Sequence, residues 1–258
     1  SLIAYRLTPV FVVFTVPILA VYYEKNFPRV FKILATVVII LLIAASLYSN
    51  RKGLLSFGIS TNSFPVSAVR FIKQNGLSNE RTFSNYEWGG YLIWEDIPVF
   101  VDGRTLRKEA LTSYYHIMFQ GKTEGLDYWK VSQVLFSGAD ITTGKPMALL
   151  DSLVNAKNRW VLLYGDEKAV VFIRNEERFS GLIKRYSIPS IFAYNLVQMR
   201  AKKILSIKPD DPIALASFAY ASFKKGMKGV GKPYIVRAVS IDNENPFVQQ
   251  VAGLYGNR

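Results

Sequence analysis

The stretch "WVLLYGDEKAVVFIR", residues 160–174, decides the fold. Two β-rich runs flank Gly165, Asp166, Glu167 and Lys168, the arrangement of a β-hairpin with a polar turn. Upstream, short apolar runs at 81–84, 91–94, 98–101 and 131–136 supply strand candidates. Helical stretches at 106–120 and 145–156 alternate with them. Strands alternating with helices and closed by a hairpin predict an α/β layer domain with a mixed sheet. Ahead of these, Ser63 is placed to cap a helix with Pro65 in its first turn, apolar positions at Val66, Val69, Phe71 and Ile72, and Gly76 at its end. The expected soluble domain covers residues 53–178.

Residues 1–52 read differently. "LTPVFVVFTVPILAVYY" (7–23) and "ILATVVIILLIAASLY" (33–48) are uncharged over seventeen and sixteen residues. Each would reach about 24 to 26 Å as a helix, slightly short of a hydrocarbon core of roughly 30 Å, with Arg6, Lys25, Lys32, Arg51 and Lys52 placed to snorkel. Two transmembrane helices are therefore expected, with membrane lipid as a partner. Pro9 and Pro17 suit such a helix if neighbouring helices re-satisfy the backbone. The connecting loop "EKNFPRVFK" carries three basic residues against one acid. That bias places the loop in the cytoplasm and the larger domain outside an inner (plasma) membrane, an extracytoplasmic setting. Two long segments without a small-residue cleavage pattern do not read as a signal peptide.

Composition narrows the chemistry. The 258 residues carry a formal net charge of +13, with the excess at the two ends and near balance between residues 53 and 199. No zinc-finger spacing, RNP pattern or basic helix with interleaved aromatics accompanies it, so no nucleic-acid partner is expected. Without cysteine there is no disulfide, thiolate nucleophile or structural zinc cluster. His116, the sole histidine, lies in the aromatic run "TSYYHIMF" and reads as packed or surface-lying rather than catalytic. No P-loop is present and "GGYLIW" is not GxGxxG, so no cofactor is expected, and no metal.

The densest group of candidate site residues is "TFSNYEWGGYLIWEDIPVFVDGRT", residues 82–105. The run ending at Ser84 is expected as a strand, with "NYEWGG" as the turn leaving its carboxyl end, where open α/β sheets place ligands. Gly89 and Gly90 permit close approach of backbone or ligand. Glu87 and Asp102 stand among aromatic and apolar residues, where a carboxylate either pairs or shifts its pKa, and Arg104 is the nearest cation in sequence. Two readings stand here: a structural Asp102–Arg104 pair with the aromatics in a core, or a ligand-facing cluster. The expected substrate-binding set is Asn85, Tyr86, Glu87, Trp88, Tyr91, Asp102 and Arg104.

"PVSAVRFIKQNG", "RTFSNYEWGGYLIW", "IPVFVDGRT" and "WVLLYGDEKAVVFIR", behind proline-bearing apolar helices, resemble the carboxyl-terminal part of large bacterial polytopic proteins similar to GT-C membrane glycosyltransferases. The resemblance covers roughly residues 1–178. A distant likeness to oligosaccharyltransferase catalytic subunits sets Asn85, Tyr86, Glu87, Trp88 and Gly89 where a WWDYG motif stands; only the glycine is identical, and Asn85 replaces a tryptophan. The resemblance implies transfer of a sugar from a polyprenyl-phosphate donor to a glycan or protein acceptor. The catalytic carboxylates of such enzymes would lie outside this chain, leaving acceptor binding or support to the part in hand.

The tail, residues 179–258, carries a repeat. "ILSIKPDDP" (204–212) returns as "AVSIDNENP" (238–246) after 34 residues, the tetratricopeptide period. Helices are expected at about 212–225 and 233–240, capped by Asp210 or Asp211, with Gly226 at the turn and Ala238 in a small-residue position. One repeat with flanking halves is short of the three or so that stand alone, so the tail is expected to pack on the preceding domain or to continue beyond Arg258. Repeats of this kind bind protein partners, and the lysine surplus favours an acidic one. The alternative to a glycosyltransferase portion is accordingly a non-catalytic, membrane-anchored scaffold.

Overall fold

The computed structural model describes residues 28–49, 63–104 and 107–256. The chain divides into two compact units, Ser1–Ile59 and Ser60–Arg258. In the first unit the described residues form one helix, α1 (Arg29–Ser49).

The expectation of two transmembrane helices is corrected here. Residues 7–23 lie outside the described residues. Among the described residues no helix is long and apolar enough to cross a membrane. The uncharged run 33–48 falls inside α1, which attains its 21 residues only by including Arg29 and Lys32. Its sixteen uncharged residues rise about 24 Å, short of the roughly 30 Å of a hydrocarbon core.

The second unit is α/β. Its described elements are α2 (Val66–Gln74), β1 (Thr82–Ser84), α3 (Gly89–Trp94), α4 (Lys108–Gln120), α5 (Glu124–Tyr128), β2 (Gln133–Phe136), α6 (Ala148–Asn155), β3 (Trp160–Gly165), β4 (Val170–Arg174), α7 (Ser180–Tyr186), α8 (Tyr194–Leu205), α9 (Pro212–Lys224), α10 (Lys228–Ile241) and α11 (Pro246–Gly256). The four strands form one mixed sheet in the order β1-β2-β4-β3. β1 and β2 are parallel, with Thr82 opposite Gln133, and the other two pairings are antiparallel. The hairpin expected at 160–174 is β3–β4. Its turn is held by Asp166, whose Oδ1 accepts the backbone N–H groups of Lys168 (2.7 Å) and Ala169 (2.8 Å), an Asx turn of the kind that favours aspartate at this place.

Successive residues of the inner strands go to opposite faces, and both faces are covered. Val134, Phe136, Val170 and Phe172 enter a core with α4, α6, α8 and α9, while Leu135, Val171 and Ile173 pack with α2, α3 and α7. This two-sided burial makes "VVFI" a continuous apolar run instead of an alternating one. The run 91–94, a strand candidate by composition, is instead the end of α3: Tyr91 and Leu92 are buried while Ile93 and Trp94 are exposed. A four-residue apolar run has no period long enough to separate helix from strand. α2 is entered through Pro65 at its N-cap, with no side-chain cap bond, and ends at Gly76 in the left-handed region (φ 68°).

The tail repeats as a stack of helices. Asp211 caps α9 by accepting the N–H of Ala214 at 2.9 Å, and 34 residues later Asn245 accepts the N–H of Phe247 (3.0 Å) and of Val248 at the start of α11. Pro212 and Pro246 each open their helix, where a missing N–H is harmless. α10 starts at Lys228, five residues ahead of Pro233, which therefore lies inside it. Gly231 is required by packing: a Cβ there would come within 1.8 Å of the Tyr255 hydroxyl and 2.9 Å of Ser222 Cβ. The tail helices also pack on the sheet-bearing part, since Leu215, Ala219 and Tyr220 share a core with Leu149, Leu150 and Leu153. Replacing Asp211 by alanine is expected to cost about 0.5–2 kcal/mol of unfolding free energy, read from urea denaturation. An unchanged midpoint would show that this cap contributes nothing.

Candidate functional site

A cleft of about 400 Å³ opens beside β1. Four separate segments build it, the fourth carrying Trp129 and Val131. Arg81, just before β1, donates from Nη1 to the backbone oxygen of Trp129 at 3.1 Å, while its own carbonyl accepts the N–H groups of Ser132 and Gln133. Val99 forms a single parallel bridge with Thr82 and carries Phe100 and Asp102 along the same edge. Arg107 and Leu111 come from the start of α4.

The walls are aromatic. Phe100 and Trp129 meet edge to face at 5.3 Å and 86°, Phe100 leans on Phe83 at 5.3 Å, and Tyr86 sits 6.3 Å from Tyr114. Trp129 is fixed by the end of α5 and by Lys130, whose positive φ of 52° turns the chain sharply into β2. The Trp129 indole N–H is buried and has no hydrogen-bond partner among the described residues. Burial pushes the Tyr114 hydroxyl well above the usual phenol range, against which its acceptance of the Tyr86 backbone N–H at 3.2 Å works only in part.

Asp102 is gripped by Arg104. Nε donates to Oδ1 at 3.0 Å, Nη2 to Oδ2 at 2.6 Å, and the Arg104 backbone N–H adds a bond of 2.8 Å. The guanidinium thereby holds the Asp102 carboxyl below its ordinary pKa, outweighing the burial that opposes it. At neutral pH Asp102 is an ionised acceptor and has no proton to give. Gly89 makes the position possible, because a Cβ there would lie 2.6 Å from Asp102 Cβ and 2.9 Å from the Val101 carbonyl oxygen.

The expected set of seven residues divides between four places. Tyr86 and Asp102 line the cleft, and Arg104 clasps Asp102 from a more exposed position. Asn85 is buried: its Oδ1 accepts the Ser137 N–H at 2.9 Å and its Nδ2 donates to Ser137 Oγ at 3.2 Å, joining the ends of β1 and β2. Trp88 and Tyr91 belong to the core on the α2–α3 face, where burial and then Glu95 push the Tyr91 hydroxyl up to about 12. Glu87 is exposed and does not line the cleft. Arg81, Phe100, Arg107 and Trp129 were not singled out from the sequence. They converge only because β1 and β2 pair in parallel across some fifty residues, which no local pattern announces.

The arrangement can bind and orient, with flat rings, two guanidinium groups and an ionised carboxylate around one space. It holds no nucleophile–base pair: His116 is exposed on α4 away from the lining, and among the described residues no group of three His, Cys, Asp or Glu side chains is placed to hold a metal ion. Comparison with family models, curated proteins and solved structures produced no match to this chain.

Proposed function

We propose that this chain is the acceptor-binding portion of a glycosyl-transfer protein, in which the cleft beside β1 holds a sugar-bearing acceptor and residues outside the chain carry the chemistry. The observation behind this reading is the joint presence in one cleft of aromatic walls at Tyr86, Phe100 and Trp129 and of charged hydrogen-bonding groups at Arg81, Asp102 and Arg107. A sugar ring presents apolar C–H faces and polar hydroxyl edges. Rings receive the first, and forked guanidinium or carboxylate groups receive the second. The sequence resemblance to glycosyltransferase carboxyl-terminal regions points the same way.

Titration of the protein with chitotriose and mannotriose, followed by calorimetry and tryptophan fluorescence, tests this. Trp129→Ala and Asp102→Asn are each expected to weaken binding about tenfold or more, since a buried aromatic anchor and a charge-assisted bond each contribute over 1 kcal/mol. Absence of saturable binding by the intact chain, or equal binding by Trp129→Ala, rejects the reading.

A scaffold is the second reading, and α10 favours it. Val230, Val236 and Val239 are exposed there beside Lys228, Lys232 and Arg237. A Val236→Glu variant that keeps sugar binding but releases a co-purifying protein would speak for this alternative.

A further inference from the structure

The cleft beside β1 does not end at its own walls. Leu111, which lines it, begins a row on α4 that continues with Tyr115 and Phe119, since side chains four residues apart share a helix face. Both rings are about half exposed, at 52% and 51%. They lie nearly parallel, 25° apart with centroids at 5.7 Å. The buried Tyr114 ring meets Tyr115 at 5.7 Å, Phe119 at 6.3 Å and, toward the cleft, Tyr86 at 6.3 Å. Because Tyr86 is itself a wall of the cleft, an unbroken run of ring contacts leads from the cleft to the outer pair. At a rise of 1.5 Å per residue the row extends about 12 Å from Leu111 to Phe119.

The ledge is electrically bland. Residues 110–121, "ALTSYYHIMFQG", hold no Lys, Arg, Asp or Glu. Thr112, His116 and Gln120 form the neighbouring exposed row. Rings edged by such polar side chains offer no ion pair to an acidic partner and no basic face to anionic lipid. They suit a neutral ligand with flat apolar faces and a rim of hydroxyl groups.

On the reading of the cleft as an acceptor site, on which this inference rests, we propose that the acceptor is an oligosaccharide longer than the cleft, whose outer units stack on Tyr115 and Phe119 along α4.

Calorimetric titration of the intact chain with chitobiose and chitopentaose, and with mannobiose and mannopentaose, tests this. In the series that binds, the pentaose is expected to bind about tenfold or more tighter than the biose. Tyr115→Leu combined with Phe119→Leu keeps apolar, helix-forming side chains but removes both rings. It is expected to bring the pentaose down to the affinity of the biose, with biose binding and thermal melting unaltered. Trp94→Ala removes an exposed ring on α3, outside the row on α4, and is expected to change nothing. Equal affinity for pentaose and biose, pentaose binding untouched by the double leucine variant, loss of biose binding in that variant, or an equal loss from Trp94→Ala would each overturn the proposal while sugar binding by the intact chain still stands. So would cosedimentation with phosphatidylcholine vesicles that the double variant abolishes, because the two rings would then belong to a lipid contact. If neither biose nor pentaose binds saturably, the reading of the cleft itself fails, and this inference with it.

Discussion

Replacing Asp151 by alanine will lower the unfolding free energy by roughly 2–5 kcal/mol, the largest effect expected of any single change here. Asp151 stands on α6 and accepts hydrogen bonds from two tyrosines of the tail, Tyr194 on α8 and Tyr220 on α9, with Lys224 Nζ at 3.5 Å. Tyr194 and Tyr220 are 1% and 5% exposed, so each hydroxyl depends on this carboxylate as its acceptor. Burial first, and Asp151 after it, push both hydroxyls far above the ordinary phenol range, so both remain donors at any neutral pH. The size of the effect comes from two stranded buried donors, each costing about 1–3 kcal/mol, more than from any net gain of the bonds themselves. Urea unfolding followed by circular dichroism reads it. Removing all three polar partners together, as Asp151→Leu with Tyr194→Phe and Tyr220→Phe, is expected to recover much of the loss. An Asp151→Ala loss under about 1 kcal/mol would mean that solvent reaches the pair.

Gly89→Ala is expected to cost about 1–3 kcal/mol and to weaken sugar binding in the cleft. Gly89 has ordinary helical angles, φ −53° and ψ −46°, so the backbone itself would accept alanine. The objection is space: the new methyl would meet Asp102 Cα at 2.8 Å and the Val101 oxygen at 2.9 Å, main-chain atoms that cannot swing aside. The segment bearing Asp102 must then move away from α3. Gly90→Ala is the matched control, with nothing within 4 Å of its Cβ. Losing a helical glycine there should be neutral or stabilising by up to about 1 kcal/mol. If the two variants melt together and bind sugar alike, the close approach has no energetic weight.

Much of the α/β part was legible because its signals are local. The polar turn at 165–168 between apolar runs became β3–β4, and the aspartate ahead of Pro212 became a helix cap. The 34-residue spacing reappears as paired caps at Asp211 and Asn245. Where a signal was short, it misled or was missed. The run at 91–94 folded as helix, α5 gave too brief a pattern to notice, and α10 ran through Pro233 because packing of Ile235 and Ala238 outweighs a lost N–H bond. The uncharged run at 33–48 implied a membrane span that the described helices do not provide. The candidate site was half legible. Tyr86 and Asp102 reached the cleft, but the aromatic neighbours that looked like its walls, Trp88 and Tyr91, went to the core instead. Residues 85–91 wind through a short 3₁₀ turn into α3, so neighbours in sequence point to different sides of the sheet.

The two outermost strands decide how another chain can approach. β1 has only three residues, and its outer margin is met by Val99; β3 is met on its outer margin by Ile188, whose N–H donates to the Leu162 oxygen at 2.8 Å. The molecule's own backbone thus occupies β1 at its first residue and β3 within its length. A foreign extended segment would find too few consecutive open donors and acceptors to zip alongside, which guards against edge-to-edge aggregation and directs recruitment to side-chain surfaces.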